Sequence, residues 1–97
     1  MHKEWNVLAG GSHASRLAAL ARELPGQIRA AAQAVALAER RLADILTLRA
    51  TGQEVRASDI AGARMALART QRDAEDLRRI QDALPEILQQ GRKSTGA

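Results

Sequence analysis

Thr51-Gly52-Gln53-Glu54 is a short polar break between two stretches of nearly equal length, one beginning near Leu24-Pro25 and the other ending at Leu84-Pro85. On either side of it the apolar residues step by four and three. Upstream the series runs Leu17, Ala21, Leu24, Ile28, Ala31, Val35, Ala38, Leu42, Ile45. Downstream it runs Ile60, Ala63, Leu67, Thr70, Ala74, Leu77, then Ile80 or Gln81, and Leu84. That period belongs to a helix with one packed seam. Two such helices separated by a glycine-containing break fold back on each other as an antiparallel hairpin, with Gly52 taking the left-handed conformation that closes a helix end.

Folding about residue 54 places Ile28 opposite Ile80, Ala31 opposite Leu77, Val35 opposite Ala74, Leu42 opposite Leu67, Ile45 opposite Ala63 and Leu48 opposite Ile60. Large residues mostly face small ones, so the two backbones can approach closely. Arg49 falls opposite Asp59 near the tip, the expected place for a cross-hairpin ion pair.

The seam crosses Pro25 without losing phase. A proline inside a helix removes one hydrogen bond and clashes with the preceding turn, and Gly26 beside it weakens the helix further. The expectation is therefore a break or bend at Pro25. The resulting organisation is a single domain: an N-terminal arm over 1–11, a short helix over 12–24 capped by Ser12, and a long helix over 25–51. A turn over 52–57 leads to a second long helix over 58–90, capped by Ser58 or Asp59 and bent at Pro85, then a disordered tail over 91–97.

Composition agrees with an all-α chain. Tyr and Phe are absent, Trp5 is the sole aromatic, and alanine is abundant, which disfavours a sandwich or barrel. A chain of 97 residues builds only a marginal core. The hairpin is therefore expected to be covered by something else. Either the 12–24 helix folds back to make a three-helix bundle, or two hairpins pair as a dimeric four-helix bundle. Leu37 and Met65 lie more than about 100° around their helices from the seam, and mark a second apolar surface together with Ala30, Ala34, Ala61 and Ala68.

The sequence carries little chemistry. It has no cysteine, which removes disulfides, thiolate metal sites and a cysteine nucleophile. The two histidines, His2 and His13, have no carboxylate at zinc-ligand spacing. Gly10-Gly11 follows no strand and lacks the Gly-Lys-Ser/Thr of a phosphate loop. Ser12, Ser15 and Ser58 stand in helix-start contexts and not in a nucleophile turn. No cofactor, metal or small-molecule substrate is expected, nor catalysis. The absence of a long apolar run or a signal-peptide core leads to the expectation of a soluble, unprocessed, cytoplasmic protein.

Fifteen basic residues, thirteen of them arginine, stand against eleven acidic ones. Residues 1–25 sum to +1, 26–84 to +2 and 85–97 to +1. The basic excess is spread evenly, without the block that marks a nucleic-acid footprint. Between Arg69 and Asp82 acids and arginines interleave at i to i+4, as on a solvated, self-paired face. The best basic patch is Arg40-Arg41 with Arg49, which Arg92 and Lys93 could extend toward phosphates.

The expected function is accordingly protein–protein interaction: a small accessory, chaperone-like or inhibitory protein, of the kind phages and mobile elements encode. It would dock on a larger protein or pair with itself, using Trp5, Leu37 and Met65. An isolated tryptophan on an arm either anchors into a partner's groove or caps its own bundle. The alternative expectation is a small nucleic-acid-associated regulator working through Arg40, Arg41, Arg49, Arg92 and Lys93.

Overall fold

The computed structural model describes residues 13–96, with side-chain environments over 13–90. Two helices make up this part: α1, His13–Ala50, and α2, Ala57–Gly96. They pack antiparallel along one seam. At 1.5 Å per residue they are about 57 and 60 Å long, and the molecule measures 67 × 32 × 17 Å. Its radius of gyration is 20.5 Å, whereas a compact domain of this length has about 12–13 Å. The described residues form an extended two-helix hairpin.

The turn follows from Gly52. Its φ of 90° lies in the left-handed region, where a side chain would be strained. This geometry lets the Gln53 amide donate back to the Leu48 carbonyl at 2.9 Å and the Gly52 amide to the Arg49 carbonyl at 3.2 Å. Those two bonds make a Schellman closure, satisfying carbonyls that the end of α1 would leave open. The hydroxyl of Thr51 donates to the Thr47 and Leu48 carbonyls, each at 3.0 Å, fastening the same turn.

The start of α2 differs from expectation. The Arg56 carbonyl accepts from the amides of Asp59 (3.0 Å) and Ile60 (3.3 Å), so Arg56 stands at the cap and Ala57 begins the helix. Ser58 and Asp59 fall within the first turn. Asp59 is the acidic residue there, where the positive end of the helix dipole favours a carboxylate.

Both prolines are also accommodated differently. Pro25 lies inside α1 and Pro85 inside α2. Residues 13–24, expected as a separate short helix, are the first turns of α1 and run on along the hairpin, so they supply no third helix for a bundle. The reason is visible in the exposure pattern. Each proline is exposed, while the leucine before it is buried, Leu24 at 1% and Leu84 at 7%. The seam residues on both sides of each proline, Leu24 and Ile28 in α1 and Leu84 and Leu88 in α2, stay buried or half-buried, so packing against the other helix runs on across it. α2 also continues to Gly96, through most of the stretch expected to be a disordered tail. Ser12 and the arm lie outside the described residues.

The seam itself is as the spacing predicts. Every upstream position from Leu17 to Ile45 is half-buried or buried, as are Ile60, Ala63, Leu67, Thr70, Ala74, Leu77 and Leu84. Val35 and Ala74 border one groove, and Ile45 and Ala63 another, in keeping with their expected pairing. Two expected pairings leave a large side chain exposed. Ile80 remains 39% exposed and Leu48 50% exposed, because each stands one step off the seam, on its flank. Among the described residues only four are buried: Leu24, Ile60, Ala63 and Leu84. Two helices touching along one line cannot enclose more.

Candidate functional site: one broad face of the hairpin

Two helices side by side present two broad faces, and the grooves along the seam identify them. On one face Arg41, Ile45 and Leu48 of α1 meet Asp59, Gly62 and Ala66 of α2 near the tip. On the other, Ala32 and Val35 meet Gln71, Ala74, Glu75 and Arg78. Residues seven apart share a helix face in a packed seam. Leu20, Gln27, Ala34, Arg41 and Leu48 therefore line the first face along α1, and Asp59, Ala66, Asp73, Ile80 and Ile87 line it along α2.

Exposed apolar surface concentrates on that first face. The exposed large hydrophobics are Leu37 (69%), Met65 (66%), Leu48, Ile87 and Ile80. Leu48, Ile80 and Ile87 line the first face, and Leu37, three residues on from Ala34, sits at its α1 edge. Met65 stands opposite the seam on the outer side of α2, so Leu37 and Met65 do not share one surface. The residues that go with Leu37 are Leu48, Ile80 and Ile87. Steps of seven in the sequence carry their signal, but for Ile80 and Leu48 the same spacing also fits the seam.

The acids and arginines of α2 pair less than their spacing allows. Among the described residues the ion pairs within 4.0 Å are Arg79 with Asp76 at 3.7 Å and with Glu75 at 4.0 Å, all well exposed. Such pairs contribute about 0.5 kcal/mol or less. The expected pairs Arg69–Asp73, Arg72–Asp76 and Arg78–Asp82 do not form, and neither does Arg49–Asp59.

The basic patch is dispersed. Arg40, Arg41 and Arg49 are exposed, but at about 100° per residue Arg40 and Arg49 point to opposite sides of α1. Arg92 and Lys93 belong to the far end of α2, about 50 Å from the tip where Arg49 lies. Glu39 and Asp44 stand beside the arginines of the middle. Trp5 and His2 lie outside the described residues, and His13 is exposed in the first turn of α1.

Among the described residues no group of three or more His, Asp or Glu side chains is gathered at metal-binding distance. The Thr47 and Thr70 hydroxyls donate to the carbonyls of Ala43 and Leu67 in their own helices. No helix among the described residues is long and apolar enough to cross a membrane. No family model matches the chain, and no curated protein or solved structure is detectably similar to it.

Proposed function

We propose that the chain is a non-enzymatic protein–protein interaction module, a small helical accessory protein of chaperone-like or inhibitory type that acts through its apolar broad face. The observation that carries this reading is that Leu37, Leu48, Ile80 and Ile87 stand exposed along one face of a hairpin in which, among the described residues, only four are buried. A face that leaves several large apolar side chains in water is favoured as a surface for another protein to cover.

The test is affinity capture with the tagged full chain, followed by reconstitution from purified components, for wild type and for a Leu37→Asp, Leu48→Asp variant. Both substitutions are at exposed positions, so helicity by circular dichroism is expected to persist. A defined complex lost in the variant supports the reading. A strict monomer that forms no complex in either arm contradicts it.

A further inference from the structure

We infer that Pro25 and Pro85 together form one hinge, at which the open end of the hairpin, away from the Gly52 turn, bends as a unit toward the apolar broad face. The first support is level. Counted at 1.5 Å per residue from Ala50 in α1 and Ala57 in α2, Pro25 lies about 38 Å and Pro85 about 42 Å above the tip, less than one helical turn apart. The second support is side. Pro25 stands seven residues before Ala32 and Pro85 seven after Arg78, and both Ala32 and Arg78 line the groove of the second face. Both prolines therefore belong to the face opposite the apolar one. The third support is lost bonding. Neither proline has an amide to donate, so the Ala21 and Gln81 carbonyls lose the partner four residues on, and Gly26 weakens α1 further at that level.

The direction of bending follows from sterics. A proline ring inside a helix presses on the carbonyl four residues earlier, and the helix relieves this by opening on the ring's side and bending away from it. With both rings on the second face, both helices bend toward the first. That movement is across the plane that holds the two helix axes, so it does not draw the helices apart. Leu24 and Leu84 stay buried, and Ile28 and Leu88 half-buried, through the level of the prolines. A proline in one helix alone, or two on opposite faces, would pull the seam open instead.

The consequence for the apolar face rests on the interaction reading. On α2 the hinge falls between Ile80, at about 35 Å, and Ile87, at about 45 Å; on α1 it falls between Leu37, at about 20 Å, and Leu20, at about 45 Å. Bending turns Leu20 and Ile87 toward Leu37 and Ile80 and makes the apolar face concave. A partner seated there touches both sides of the hinge only in the bent form, so its binding draws the hairpin to that form.

The absence of native cysteine lets spin labels be placed freely. Arg16→Cys with Asp44→Cys marks the column of Leu37 at the edge of the apolar face, and Ser15→Cys with Ala43→Cys marks the column of Arg29 beside the second face; all four positions are exposed. Each pair is four heptads apart, about 42 Å along a straight helix. In the full chain without a partner, the first pair is expected about 4 Å short of that, for a bend of about 20°, with no shortening in the second. Replacing both prolines, Pro25→Ala with Pro85→Ala, is expected to return the first pair to about 42 Å with a narrower distribution. Pro85→Ala alone, in the unlabelled helix, is expected to lengthen the first pair too, because the helices bend together. An unchanged distance in the proline-free variant, shortening of the second pair instead of the first, or no response to Pro85→Ala overturns the hinge. A rigid hairpin that still forms a defined complex removes only the hinge, whereas a bending hairpin that forms none removes the interaction reading and leaves the hinge standing.

Discussion

Leu24 and Leu84, each the residue before a proline, stand at about the same height above the tip, ~40 Å along their helices, and retain 1% and 7% of their surface. The two exposed prolines thus stand at one level of the hairpin, each next in sequence to a buried leucine, one of which, Leu24, is the most enclosed among the described residues. Replacing Leu24 by Ala removes the side chain with the least exposed surface in the described residues. The expected cost is about 3 kcal/mol, within the range for truncating a buried leucine, read by urea denaturation. A loss under about 1 kcal/mol would show that the seam is not packed at that level.

Pro25→Ala is expected to stabilise. The substitution returns an amide that can donate to the Ala21 carbonyl and removes the ring's clash with the preceding turn, so a gain of about 1–3 kcal/mol is expected. Thermal unfolding followed by helical circular dichroism reads it. A loss would mean that the proline's geometry is required by the packing around Leu24.

Two glycines give opposite signs. Gly52 has a φ of 90°, so Gly52→Ala is expected to cost about 1 kcal/mol through backbone strain in the Schellman turn. Gly26 lies within α1, and a Cβ there meets nothing within 4 Å. Gly26→Ala is therefore expected to gain about 0.5–1 kcal/mol from helix propensity. Matched denaturation curves of the two variants check the pair, and the same sign for both would contradict the helix boundaries.

Electrostatic binding to nucleic acid is expected to be negligible. The arginines are dispersed around and along α1, with Glu39 and Asp44 among them. A random DNA duplex titrated with the protein across a salt series is expected to show no saturable binding. Tight binding with a steep salt slope, lost on replacing Arg40 and Arg41 with Ala, would restore the alternative reading.

The hairpin is legible in the sequence because its information is local. The four-three spacing names the seam, and Gly52 names the turn. Pro25 misleads because propensity weighs a proline without knowing which side of the helix it leaves. The burial of Leu24 and the half-burial of Ile28 on either side of it keep packing continuous across the proline, and that is not visible before the partner helix is in place. Ile80 and Leu48 mislead for a related reason. Their spacing fits either the seam or its flank, and the neighbouring Leu84 and Ile45 take the enclosed positions. The broad face is half legible. Leu37 stands out alone, while its companions become evident only once α2 lies beside α1.

The most direct measurement is sedimentation of the untagged full chain, alone and with the proteins that co-purify with it, with Leu37→Asp, Leu48→Asp as its companion. A wild-type mass above the 10.4 kDa chain is expected, from a second copy or from a partner, together with a variant that stays at one chain mass with its helicity intact. A wild-type protein that remains at one chain mass throughout would contradict an interaction through the apolar face.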